Sequence, residues 1–199
     1  MILFGIIGKK FSGKSLAASL FRKQFIPVIN LDEMYNPIFQ PGNRGHRILI
    51  NSLGEEILSN NGNIDMLKLS FLICNEIWIR ELVNDVIYEE FTSIINKLRN
   101  AFKFHNIIIG GAESYIGGSE RMIDIFDFTI FINSKDSERN KRMRRIDVPD
   151  IVINKVIDNE QIYDKIESRY ILNNNSTFVD FEKECYNLIK EIKSEYLDV

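Results

Sequence analysis

The chain has 199 residues, enough for one domain with an insert and a sizeable core. Hydrophobic and charged fractions of 45% and 27% belong to a folded globular protein and exclude a disordered or fibrous one. A net charge of −3 argues against general nucleic-acid binding.

The chain opens on the apolar run Ile2-Leu3-Phe4-Gly5-Ile6-Ile7. It is too short for a membrane span and lacks the basic flank of a signal peptide, so it reads as a strand. Gly8-Lys9-Lys10-Phe11-Ser12-Gly13-Lys14-Ser15 follows, and then Leu16 to Lys23 with Leu16, Leu20 and Phe21 on one side of a helix. A strand, G-x-x-x-x-G-K-S and a helix together make a P-loop. Gly8 and Gly13 permit backbone angles that a side chain would forbid. Successive backbone N–H groups can then face phosphate oxygens, at the positive end of the helix that starts near Lys14. Lys14 is expected to reach the β- and γ-phosphates of ATP, and the Ser15 hydroxyl to ligate Mg²⁺.

Pro27-Val28-Ile29 marks a short buried strand, with Asp32 just past its C-terminal end, where ligands bind in open α/β sheets. A carboxylate there could accept a proton from an attacking hydroxyl, hold hydrated Mg²⁺, or simply cap the next helix. Residues 36–100 read as a helical substrate-side insert. Its loops contain Gln40-Pro41-Gly42-Asn43-Arg44-Gly45 and Ser59-Asn60-Asn61-Gly62-Asn63, and Asp65 stands as the cap of a helix. The longest helix, Glu76 to Leu98, carries a core stripe from Ile79 to Leu98 at steps of three and four. Arg80 on its other face could meet an anionic substrate or remain solvated.

Asn106–Gly111 and Phe128–Asn133 read as buried parallel strands, the first followed by Glu113 at the ligand edge. Between Ser137 and Asp147 the chain is densely basic, including Arg139, Arg142, Arg144 and Arg145. Such a run is either a solvated helix face or a lid, about residues 136–150, presenting arginine to a transferring phosphoryl group. An amphipathic helix over 151–166, a short strand near Arg169–Asn175 and a helix over Phe178–Tyr196, with Phe181, Cys185, Leu188, Ile189 and Ile192 inward, complete the chain. The two cysteines, Cys74 and Cys185, are far apart and read as buried small hydrophobes in a reducing cytoplasm; His46 and His105 are isolated, with no metal-ligand spacing. Short strands separated by helices imply an α/β fold with a parallel sheet.

With these pieces in hand, the sequence resembles the dephospho-coenzyme A kinases over most of its length. The P-loop carries part of the likeness. Val28-Ile29-Asn30-Leu31-Asp32-Glu33 is similar to the family's V-I-D-A-D-E. Pro41–Gly45, Leu53–Leu58 and Asn61–Asp65 follow P-G-x-x-G, F-G-x-x-I-L and D-G-x-L-D at the family's spacings, and Tyr170–Asn174 is similar to Y-V-I-D-N. The chain departs at Lys9, Lys10 and Phe11, where the family has small or apolar residues, at Leu16 for threonine, at Asn30 for the first aspartate, and at Val83-Asn84-Asp85 for L-H-P.

The resemblance implies a three-layer P-loop kinase core with a five-stranded parallel sheet over residues 1–35 and 101–199, the helical insert over 36–100, and a small lid. It implies phosphorylation of the 3′-hydroxyl of dephospho-coenzyme A by ATP and Mg²⁺, in the cytoplasm, by a monomer or weak homo-oligomer without nucleic-acid or membrane partners. Asp32, Lys14 and Arg142 would be catalytic. Gly8 through Leu16 (Gly8, Lys9, Lys10, Phe11, Ser12, Gly13, Lys14, Ser15, Leu16) and Arg145 would bind ATP, Asp32, Arg80 and Glu113 the acceptor, and Ser15 the metal. Two alternatives stay open: another nucleotide-like acceptor such as a nucleoside monophosphate, and a non-catalytic nucleotide binder.

Overall fold

A computed structural model describes residues 1–30, 35–101, 107–111, 120–146, 163 and 166–196. Asp32, Glu113 and nearly all of the helix expected over 151–166 lie outside the described residues. The chain forms two compact units, Met1–Asn30 with Phe102–Val199, and Leu31–Ala101.

The first unit is built on a parallel sheet of five strands in the order β2-β3-β1-β4-β5. These are β1 (Ile2–Ile7), β2 (Val28–Asn30), β3 (Ile107–Gly111), β4 (Phe128–Asn133) and β5 (Tyr170–Asn173). β1 is central, pairing Phe4 with Ile109 of β3 and with Phe128 of β4. From β1 the chain passes to the edge strand β2, returns to β3 between the two, and then crosses to β4 and β5 on the other side of β1. The C-terminal end of β1 is therefore the point where strand order reverses, which is where open α/β sheets bind ligands.

Period-two alternation fixes what each strand face buries. Phe4 and Ile6, Ile130 and Ile132, and Tyr170 and Leu172 share one core with Ala17, Leu20 and Phe21 of α1 (Lys14–Lys23). Phe181, Cys185, Leu188, Ile189 and Ile192 of α7 (Phe178–Tyr196) complete it, as the spacing in α7 predicts. Leu3 and Ile7, on the other face of β1, are also fully buried. A central strand covered on both sides explains the near-continuous apolar run at the start of the chain. Gly5 is required there by packing: an added Cβ would sit 2.4 Å from the Phe126 ring.

The second unit is helical, with α2 (Tyr35–Ile38), α3 (Arg44–Leu53), α4 (Met66–Asn75) and α5 (Ile77–Ala101). Asp65 caps α4, its carboxylate accepting from the N–H groups of Leu67 and Lys68 at 3.0 and 3.2 Å. The long helix begins one residue later than expected because Glu76 has extended backbone angles and closes α4, donating its N–H to the Leu72 carbonyl. Ile79, Val83, Val86, Ile87, Phe91 and Ile95 of α5 are buried, the core stripe read from the sequence. Cys74 corrects an expectation: it faces outward from α4 and is exposed, whereas Cys185 is buried.

The loops of this unit are held locally. His46 Nε2 lies 3.0 Å from the Gly62 carbonyl, tying α3 to the turn before α4. Gly45 packs so closely that a Cβ would lie 2.6 Å from Ile38 Cγ2.

Candidate functional site

The site lies in the first unit, where β1 ends and α1 begins. Gly8 and Gly13 take φ of 144° and 111°, in the region that favours glycine. Phe11 between them also has positive φ, 60°, which costs a bulky side chain on the order of 1–2 kcal/mol. The loop so formed returns on itself, with the Ser12 N–H donating to the Lys9 carbonyl at 3.2 Å.

Lys14 sits inside this ring. It is only 2% exposed, and its ammonium donates to the carbonyls of Gly8 and Lys9, each at 2.8 Å. A buried lysine held in this way is a fixed positive charge at the bottom of the loop. Lys10, Phe11, Gly13, Lys14, Ser15, Leu16 and Arg142 line one open cleft of about 410 Å³. Among them, Ser15 is exposed at the start of α1. Cleft, cationic floor and helix N-terminus together form an arrangement suited to an anion.

The basic run forms α6 (Asp136–Arg144), and its cations divide by face. Lys141, Arg144 and Arg145 are exposed. Arg139 is fully buried, its Nε donating to the Lys10 carbonyl at 2.7 Å and its Nη1 to Asp136 Oδ1 at 2.5 Å. Arg142, one turn on, donates through Nη1 to the carbonyls of Phe11 and Ser12 (2.9 and 3.2 Å) and to Ser134 Oγ (3.1 Å). Its Nη2 reaches the Asn174 carbonyl at 2.8 Å. Burial lowers the Arg142 pKa, opposed by attraction to Glu138, with Arg145 and Arg139 adding to the lowering. A guanidinium remains charged at neutral pH under such a shift.

Beyond the strands, the ends of β4 and β5 are joined residue by residue. Asn133 Nδ2 donates to Asn173 Oδ1 at 2.9 Å, Ser134 Oγ to the Asn174 carbonyl at 3.0 Å, and the Lys135 N–H to Asn175 Oδ1 at 2.6 Å. Asn174 then donates through Nδ2 to the Ser12 carbonyl at 2.7 Å.

Of the residues expected from sequence, Lys10, Phe11, Gly13, Lys14, Ser15, Leu16 and Arg142 therefore meet in one cleft. Gly8 and Lys9 form the wall that holds Lys14, and Ser12 is fully buried behind it. Arg145 is exposed at the end of α6 and does not line this cleft. Arg80 belongs to the helical unit, where its Nε donates to the Ile73 carbonyl at 3.1 Å. Asp32 and Glu113 fall outside the described residues. Sequence reading placed Arg139 within the basic run offered as a lid and Asn174 in the last strand and turn, and assigned neither a contact with the phosphate loop. The first lay one turn before Arg142 on the same helix, and the second ended a stretch singled out for its family likeness.

A model of the dephospho-CoA kinase family matches residues 2–180. A dephospho-CoA kinase domain-containing protein of Danio rerio is 33% identical over 90 residues, 45% of this chain and 39% of that protein. The dephospho-CoA kinase of Lactobacillus johnsonii is 24% identical over 194 residues, 94% of this chain and 96% of its own. The chain spans about half the length, or less, of the curated relatives it matches first. A solved dephospho-CoA kinase from Campylobacter jejuni superposes with a TM-score of 0.66 over 97% of this chain and 98% of that one, at 16% identity, and so shares the fold. With the family pattern continuous from β1 into the first turn of α7, the chain belongs to the dephospho-CoA kinase family.

Proposed function

We propose that the protein transfers the γ-phosphoryl group of ATP to the 3′-hydroxyl of dephospho-coenzyme A, giving coenzyme A and ADP. The observation that supports this most is the phosphate loop with buried Lys14 at its centre, in a chain matched by the family from residue 2 to 180. On this reading the acceptor hydroxyl gives its proton to the Asp32 carboxylate, and its oxygen bonds to the γ-phosphorus as the bond to the β,γ-bridging oxygen breaks. Lys14 neutralises charge on the β- and γ-oxygens. Arg142, fixed at the cleft by its bonds to protein oxygens, adds a second positive charge without having to reorganise. Arg145 would have to swing from its exposed position to join it, whereas Arg80 and Glu113 are assigned to the acceptor.

The Ser15 hydroxyl at the rim of the cleft is a hard oxygen donor, the kind of ligand Mg²⁺ takes alongside phosphate oxygens and water. The ion would there spread the negative charge of the transferring group. Among the described residues no helix is long and apolar enough to cross a membrane; the proposed substrate is a small molecule and the proposed place of action the cytoplasm.

The test is Asp32→Asn. Turnover of dephospho-coenzyme A should fall by about two to four orders of magnitude, the usual worth of a general base. Affinity for Mg–ADP should stay within about twofold of wild type, because Asp32 is assigned to the acceptor and not to the phosphate loop. Near-normal turnover in this variant would remove Asp32 from the chemistry.

A further inference from the structure

Every carbonyl from Gly8 to Gly13 accepts a hydrogen bond from the protein. Lys14 takes those of Gly8 and Lys9, Arg139 that of Lys10, Arg142 that of Phe11, Asn174 and Arg142 that of Ser12, and the Ala17 N–H that of Gly13. A trans peptide is planar, so each C=O points opposite to the N–H of the next residue. Fixing the carbonyls of Lys10 and Ser12 therefore fixes the direction of the Phe11 and Gly13 amides.

We propose that Asn174 and Arg139 are positioning residues: they anchor the Lys10 and Ser12 carbonyls away from the cleft, so that the Phe11 and Gly13 amides are set towards the polyphosphate before it arrives. This rests on the reading that the cleft holds the phosphates of ATP.

Three features favour it. Phe11, in a left-handed conformation that most residues avoid, is bracketed by anchored carbonyls at positions 10, 11 and 12. Such conformations persist only where the surroundings over-determine them. Asn174 is 6% exposed, its N–H bonded to the Asn133 carbonyl (2.8 Å) and its own carbonyl to Ser134 and Arg142, so the side chain projects from a fixed base. Finally, a Cβ on Gly13 would lie 2.3 Å from Asn174 Nδ2, so the loop's second glycine leaves room for this contact. The Arg139 contact is the same device from the other side: a guanidinium with no exposed surface, 129 residues away in sequence, aimed at a loop carbonyl.

The experiment compares wild type with Asn174→Asp and Asn174→Ser by calorimetric titration with Mg–ADP and, separately, with dephospho-coenzyme A, alongside melting curves. Both variants take away the Asn174 amide donor, serine because its hydroxyl is too short to reach, and leave the Ser12 carbonyl with only its longer bond from Arg142 at 3.2 Å; only the first adds charge. Both should weaken Mg–ADP by about tenfold or more while changing dephospho-coenzyme A affinity by less than about twofold. Loss in the Asp variant alone would assign the effect to charge and overturn the proposal. So would a lowered Tm with Mg–ADP affinity unchanged, or equal weakening of both ligands. Wild type that binds Mg–ADP but does not phosphorylate dephospho-coenzyme A would overturn the proposed reaction, with the positioning claim still decided by the variants' Mg–ADP affinities.

Discussion

Gly13 carries two constraints at once. Its φ of 111° is one that side chains rarely adopt, and the place a Cβ would take is filled by the Asn174 amide at 2.3 Å. Gly42 shares only the first constraint, with φ of 90° and nothing within 4 Å of its Cβ position. The pair therefore separates backbone strain from lost contact. Gly42→Ala should cost about 1 kcal/mol, a backbone term alone. Gly13→Ala should cost about 1–3 kcal/mol and lower Tm by roughly 2–10 °C. It should also abolish measurable Mg–ADP binding, which Gly42→Ala should leave unchanged. Melting curves and a nucleotide titration on both variants check this; a Gly13→Ala protein that melts and binds like wild type would contradict the crowding seen here.

At the scale of elements, local signals and local structure agree wherever the deciding contacts are close in sequence. β4 and α7 occupy the spans their patterns predict, because each depends on its own periodicity. Asp65 was readable as a cap for the same reason: its acceptor and the two N–H groups it serves lie within three residues. Asp65→Ala should destabilise α4 by about 0.5–2 kcal/mol. Faster amide hydrogen exchange at Leu67 and Lys68, with α5 unchanged, would report it; unchanged exchange at both would mean the cap contributes nothing. Where the pattern was ambiguous, the reading failed by small amounts. Glu76 fits a helix interior as well as a helix end, and its extended angles, which close α4, are not encoded in residue type. Cys74 is apolar enough for a core but lies on the outward side of α4. The charge run was harder still. Spacing alone could not say that Arg139 is buried and Arg142 half-buried while Arg144 and Arg145 face water.

For the whole molecule, the parallel sheet was legible in short apolar strands separated by helices and the phosphate loop in one glycine-lysine motif, while the count of five strands came from the family resemblance. The loop's supports were not legible. Asn174 meets Ser12 across 162 positions and Arg139 meets Lys10 across 129, and no local pattern marks such pairs. They exist because β4 lies beside β1 and β5 beside β4, which brings the segments after both strands to the phosphate loop. The central claim is that this assembly moves a phosphoryl group onto dephospho-coenzyme A, and the most direct measurement is ADP release from Mg–ATP with and without that acceptor. Dephospho-coenzyme A should stimulate release on the order of a hundredfold, with coenzyme A as the product, and Lys14→Ala should abolish it. A wild-type protein that binds Mg–ADP yet shows no stimulation would contradict the account.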